Sequence, residues 1–93
     1  MTFIRHVVFR GRVQGVGFRA FVEDEAARTG VEGWVRNRRD GTVEAWVQGD
    51  EAAVERAIAW ARRGPASARV ERVDVDDVPP NPALRDFRQR PSA

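Results

Sequence analysis

Cysteine, lysine and tyrosine are absent from this chain of 93 residues, and His6 is the single histidine. Without cysteine there are no disulfides, thiolate metal ligands or cysteine nucleophiles, a composition that fits a reducing cytoplasm. Without clustered histidines either, no transition-metal site is expected, and no other cofactor. No apolar run approaches the ~18 residues of a membrane-spanning helix. The opening Met1-Thr2-Phe3-Ile4-Arg5-His6 lacks the basic-then-apolar order of a signal peptide. The expected setting is therefore cytoplasmic, with no membrane partner.

The missing lysine and tyrosine also explain a misleading number. Sixteen basic residues, all arginine, face fourteen acidic ones, so the net charge is only +2. The pI of 10.8 is high because almost nothing titrates between neutrality and the arginines, not because the chain carries a strong positive field. The arginines are spread among aspartates and glutamates, as a GC-rich codon bias would spread them. A nucleic-acid footprint would be clustered, and no nucleic-acid partner is expected. The length allows one domain, residues 1–93, burying roughly 60–70% of its unfolded surface without staples.

What is present divides into alternating periodicities. Phe3 to Val13 is rich in β-branched and aromatic residues, with Val7, Phe9 and Gly11 on one face and His6, Val8, Arg10 and Arg12 on the other, a strand pattern. A glycine-rich loop leads into a helix over about Phe18–Thr29, where Phe18, Val22 and Ala26 share a face with Phe21 beside them, and Thr29-Gly30 stops it. Val31–Arg38 and Thr42–Gln48 read as a hairpin around Asp40-Gly41, with Val43, Ala45 and Val47 inward. Asp50 is placed to cap a second helix, Glu51–Arg63, whose apolar stripe is Val54, Ala57, Ile58 and Ala61 and which ends at Gly64-Pro65. Arg69–Asp76 is a fourth strand whose apolar phase slips between Val70 and Val73, as a bulge would make it. Val78-Pro79-Pro80-Asn81-Pro82 reads as an extended connection, Asp86–Arg90 as a short edge strand, and Pro91-Ser92-Ala93 as a loose tail. The order β-α-β-β-α-β plus a short terminal strand predicts an α+β, ferredoxin-like sandwich: an antiparallel sheet with the first and third strands central and both helices on one face.

The chemistry concentrates in Gly11-Arg12-Val13-Gln14-Gly15-Val16-Gly17-Phe18-Arg19, which leaves a strand and enters a helix. Gly15 and Gly17 let successive N–H groups turn toward one point, beside the partial positive charge of a helix N-terminus. Arg19 adds a planar fork that can pair two phosphate oxygens. Loop donors with one guanidinium form an anion cradle better suited to a phosphoryl group than to a carboxylate. Gly15-Val16-Gly17-Phe18-Arg19-Ala20 also fits the dinucleotide pattern, with Asp40 about twenty residues on. A hairpin follows instead of a second parallel unit, however, and the chain is too short for that crevice. A Walker loop needs the lysine this chain lacks.

Other prominent residues read as structural. His6 lies on a strand face with Val8 and Arg10, where a lone histidine serves packing or surface. Asp74, Asp76 and Asp77 read as a solvated edge. Trp34 and Trp46 share the outer sheet face as a cross-strand pair, since the alternating aromatics and glycines of an RNA-binding sheet are missing. Trp60 is expected between helix and sheet.

The string from Gly11 to Arg19 resembles the acylphosphatase signature, G-x-V-Q-G-V-x-F/Y-R. Gly33-Trp34-Val35-Arg36-Asn37, continued by Arg38-Arg39-Asp40-Gly41-Thr42-Val43-Glu44, is similar to the second signature of that family. Gly64-Pro65 and Phe87 match its habits too, so the resemblance runs from the first strand to the last. It implies a metal-independent enzyme that hydrolyses acyl phosphates to carboxylate and inorganic phosphate. Arg19 would bind the phosphoryl group with the backbone amides of Gln14, Gly15, Val16, Gly17 and Phe18, and Asn37 would position the attacking water. Gln89 departs from the family, which usually has an apolar residue there; the departure bears on the packing of the last strand. A small monomer is the default expectation, and the resemblance implies acyl phosphate and inorganic phosphate as its partners. The alternative is a phosphate- or carbamoyl-phosphate-binding module without turnover, since similar domains occur inside larger hydrogenase-maturation proteins. A chain that ends just after its fifth strand and keeps both Arg19 and Asn37 points to the enzyme.

Overall fold

The computed structural model describes residues 2–79, 84 and 86–93. In order the elements are β1 (Phe3–Arg12), α1 (Phe18–Thr29), β2 (Glu32–Asn37), β3 (Val43–Gly49), α2 (Glu51–Arg63), β4 (Arg69–Asp77) and β5 (Phe87–Gln89). They form one five-stranded sheet in the order β4-β1-β3-β2-β5, with the two helices packed on each other and on the sheet. This is the expected ferredoxin-like α+β arrangement, with β1 and β3 inside it. The sheet is mixed where a purely antiparallel one was expected: β1, β2, β3 and β4 pair antiparallel, but β5 joins β2 in parallel, Gly33 opposite Phe87 and Val35 opposite Gln89.

Alternation decides what the sheet buries. Val7 and Phe9 from β1, Val35 from β2, and Val43, Ala45 and Val47 from β3 face Phe18, Val22 and Ala26 of α1 and Val54, Ala57, Ile58 and Ala61 of α2 in one core. Phe9 and Phe18 are each 1% exposed and meet edge to face with ring centroids 5.0 Å apart. Each such side chain contributes roughly 1.5–3 kcal/mol of burial, and this pair sits directly below the glycine-rich loop. At the phase slip, Arg10 pairs with Arg72 and Gly11 with Val70, leaving Glu71 as the extra residue of a bulge.

Three local expectations change. Asp50 does precede α2, but its side chain makes no capping bond; only its carbonyl receives the Val54 N–H at 2.9 Å. Trp60 lies off the apolar stripe, on the side toward α1, and stacks on Phe21 with centroids 6.0 Å apart. It packs helix to helix instead of helix to sheet. Residues 91–93, expected as a loose tail, are exposed, yet Ala93 donates to the Asn37 carbonyl (3.0 Å) and accepts from the Arg39 N–H (2.7 Å). The open edge of the chain beyond β2 offers the groups that hold them. Of the proline-rich connection, positions 80–82 lie outside the described residues.

On the outer face, Trp34 and Trp46 pair across β2 and β3 and stack at 6.3 Å. Arg36 and Arg90 lie over the Trp34 ring at 4.8 and 5.0 Å. Beside them the buried Glu44 carboxylate meets His6 Nε2 at 2.6 Å and receives Arg36 Nε at 2.7 Å. Burial pushes the Glu44 pKa up, but these two hydrogen bonds outweigh it and hold the carboxyl below its ordinary value. Asp74 is paired with Arg10 and Arg72, and Asp77 with Arg5.

Candidate active site

Strand direction gathers the site. β1 and β2 each run antiparallel to β3, and β5 runs with β2, so three strands end on the same side. β1 passes there through residues 13–17 into α1, β2 ends at Asn37 and β5 ends at Gln89. A cavity of about 140 Å³ opens among these ends, lined by Gly15, Gly17, Phe18, Arg19, Asn37 and Gln89, with Val13 and Ala20 completing the wall.

The loop owes its shape to two glycines. Gly15 has φ 73° and Gly17 φ 78°, left-handed values that other residues adopt only under strain. Gly17 is also the N-cap of α1, so no side chain caps the helix, and no acidic residue stands in its first turn. Phe21 donates back to the Gly17 carbonyl at 3.1 Å, while among the described residues the N–H groups of Gly15, Val16 and Gly17 have no acceptor. Unpaired amides at a helix N-terminus are the natural partners of an anion.

Two further contacts brace the loop. Gln14 Nε2 donates to the carbonyls of Arg38 (2.7 Å) and Thr42 (2.8 Å), and Ser67 Oγ donates to the Val16 carbonyl at 3.2 Å. The Asp40 carboxylate in turn accepts from the Thr42 hydroxyl at 2.6 Å and from its N–H at 3.0 Å, which lowers the Asp40 pKa. Of the residues expected at the site, Gly15, Gly17, Phe18, Arg19 and Asn37 line the cavity. Gln14 and Val16 do not; the Gln14 side chain turns to the β2–β3 connection and Val16 is held from behind by Ser67.

Arg19 is half-buried and, among the described residues, has no carboxylate or ring partner. This contrasts with Arg5, Arg10, Arg36, Arg72 and Arg88, each paired with an acidic side chain. Across the cavity, Asn37 Oδ1 is buried and accepts no hydrogen bond among the described residues. A buried acceptor left so costs about 1–3 kcal/mol, so a water or ligand donor there relieves a real penalty. Arg19 and the buried Asn37 acceptor therefore share one small cavity with Gly15 and Gly17 of the loop. The larger groove between α1 and β5, about 580 Å³, is walled by Glu23, Asp24, Glu32 and Asp86, and these carboxylates repel a phosphoryl dianion.

Two wall residues went unread in the sequence, Val13 and Ala20, and a third, Gln89, was noticed only as a departure in strand packing. Its Nε2 donates to Glu23 Oε1 at 3.1 Å, and its place on the wall follows from β5 lying parallel beside β2.

Comparison with known proteins identifies the family. The family model described as Acylphosphatase matches residues 5–89. An acylphosphatase of Rhodopseudomonas palustris (strain BisB18) is 59% identical over 73 residues, 78% of this chain and 74% of the relative. One from Acidovorax sp. (strain JS42) is 51% identical over 86 residues, covering 92% and 88% of the two chains. The crystal structure of acylphosphatase from Bacillus subtilis is similar with a TM-score of 0.91 at 33% identity, over 97% of this chain and 99% of that one. With its signatures, its fold and relatives of this identity all in agreement, the chain belongs to the acylphosphatase family.

Proposed function

We propose that this chain hydrolyses the carboxyl–phosphate anhydride of acyl phosphates, without a metal, using Arg19, the loop amides and Asn37. The observation that carries the reading is the pairing of an uncommitted guanidinium with an orphan amide oxygen across one cavity, at an uncapped helix N-terminus. In this reading the phosphoryl oxygens take the N–H groups of the loop, from Gln14 to Phe18, and the fork of Arg19. Asn37 Oδ1 accepts a hydrogen bond from a water molecule and turns that water's lone pair toward phosphorus.

The water oxygen forms the new P–O bond as the bond from phosphorus to the acyl oxygen breaks. The bonding pair leaves on the carboxylate, and the water proton passes to a phosphoryl oxygen, giving carboxylate and dihydrogen phosphate. A carboxylate is a good leaving group, so no strong general acid is required. A loose transition state asks mainly for position and charge stabilisation. That suits a cavity wall holding no histidine or carboxylate side chain. The proposed setting is a monomer acting on a small molecule in the cytoplasm.

The test is hydrolysis of benzoyl phosphate followed by ultraviolet absorbance in the presence of a chelator. The proposal expects steady turnover, inhibited competitively by inorganic phosphate. A protein that binds phosphate yet leaves benzoyl phosphate at its spontaneous rate is a binding module, and the reading is wrong.

A further inference from the structure

The cavity wall contains one side-chain amide that neither phosphate nor water accounts for. Gln89 stands opposite Val35 in the parallel pair of β5 and β2. Since Val35 points into the core, Gln89 lies on the helix side of the sheet, the side that Asn37, two residues beyond Val35, also faces. The side chain is exposed and forms part of the cavity rim. Its Nε2 donates to Glu23 Oε1 at 3.1 Å, and Glu23 follows Arg19 by one turn of α1. A carboxylate accepts only, so this bond sets the amide: one N–H points to Glu23, while Oε1 and the second N–H have no other partner among the described residues. The remaining wall is apolar (Val13, Phe18, Ala20), glycine, or already engaged as Arg19 and Asn37.

We infer that Gln89 is a specificity-determining residue for the acyl group, an inference that rests on the acyl phosphate reading of this site. The inference places the acyl part against the rim that Gln89 forms, the polar side chain of the wall that neither the phosphoryl group nor the water uses. A primary amide held there by Glu23 pairs with a hydroxyl or amino substituent near the acyl carbonyl. An aliphatic side chain at that position presents only hydrocarbon. The substrate class favoured is therefore short acyl phosphates with a hydrogen-bonding substituent beside the carbonyl, over their alkyl counterparts of equal size.

Glycoloyl phosphate and propionyl phosphate differ by a hydroxyl in place of a methyl group. Their kcat/KM values are measured for wild type and Gln89→Leu, with inhibition by inorganic phosphate as the control. The ratio of ratios cancels their different intrinsic reactivity. It is expected to fall about fivefold in Gln89→Leu, the worth of one net hydrogen bond, with phosphate inhibition unchanged. Gln89→Asn, which keeps the amide on a shorter stem, is expected to fall between the two and gives the same readout if the leucine variant fails to fold. Turnover of both substrates with an unaltered ratio overturns the role of Gln89 and leaves the hydrolase reading intact. An equal loss on both, with weakened phosphate inhibition, makes Gln89 a brace for α1 and also overturns it. No turnover of either substrate by wild type overturns the hydrolase reading and this inference with it.

Discussion

The side-chain amide of Gln14 donates to the carbonyl of Arg38 at 2.7 Å, joining the glycine-rich loop to the residue that follows Asn37. The same nitrogen reaches the Thr42 carbonyl at 2.8 Å, so one side chain spans the turn between β2 and β3. The loop and Asn37 are in this way held by a common strut, which in the proposed mechanism sets the distance between phosphoryl group and water. Gln14→Leu removes both bonds, while the Arg38 carbonyl keeps the Gly41 N–H (3.1 Å) and the Thr42 carbonyl keeps the Arg38 N–H (2.9 Å). Stability should therefore fall by only about 0.5–1.5 kcal/mol, but kcat by more than tenfold, since a small misplacement of reacting groups costs about 10²-fold. Urea unfolding and benzoyl phosphate kinetics check the two effects; unchanged turnover in a destabilised variant would confine Gln14 to folding.

Arg19→Gln removes the uncommitted guanidinium while keeping a polar side chain of similar length. Loss of such a group lowers phosphoryl transfer by about 10³–10⁵-fold in comparable sites, and inhibition by inorganic phosphate should weaken with it. Arg19→Lys keeps the charge but not the fork and should recover only part of the rate. Equal activity in the lysine and wild-type proteins would show that charge alone suffices.

Gly17 caps α1 at φ 78° and ψ 17°, and a Cβ added there meets no atom within 4 Å. The cost of Gly17→Ala is then backbone strain alone, about 1–2 kcal/mol. Relief of that strain turns the loop amides away from the anion, so phosphate inhibition weakens. Asparagine tolerates the left-handed region better, and Gly17→Asn should bind phosphate more tightly than Gly17→Ala. The opposite order, read from inhibition constants, would exclude backbone conformation as the cause.

Glu44 links stability to pH. Its pKa is lower in the folded chain than in the unfolded one, so its contribution is complete above the ordinary glutamate range and is lost as pH falls through the lowered value. Glu44→Gln should be less stable than wild type by about 1–3 kcal/mol at pH 7, and the gap should close below about pH 4. A gap that stays constant from neutral to acidic pH, measured by urea unfolding, contradicts this role for the hydrogen bonds from His6 and Arg36.

Helix boundaries were legible because periodicity and breakers agree: Phe18–Thr29 and Glu51–Arg63 lie where Gly17, Gly30, Asp50 and Gly64 place them. The bulge opposite Gly11 was legible as a slip of phase. The partner of β5 was not, because three residues carry no pattern that distinguishes a parallel neighbour from an antiparallel one. Gln89 was misjudged for the same reason, since its place on the cavity wall depends on that pairing. The strut from Gln14 is a long-range side-chain bond that no local pattern encodes. The two signatures bring forward Arg19, in the first turn of α1, and Asn37, at the end of β2, and both line one cavity.

The central claim is that Asn37 orients water while Arg19 and the loop hold phosphate, and one comparison tests it directly. Benzoyl phosphate hydrolysis by Asn37→Ala is measured beside wild type, with the inhibition constant for inorganic phosphate in each. The account predicts that kcat falls about 10²-fold or more while phosphate inhibition stays within about twofold, the mark of an interaction that acts on the transition state and not on binding. Weakened phosphate inhibition with turnover retained would place Asn37 in the phosphate cradle and contradict the account.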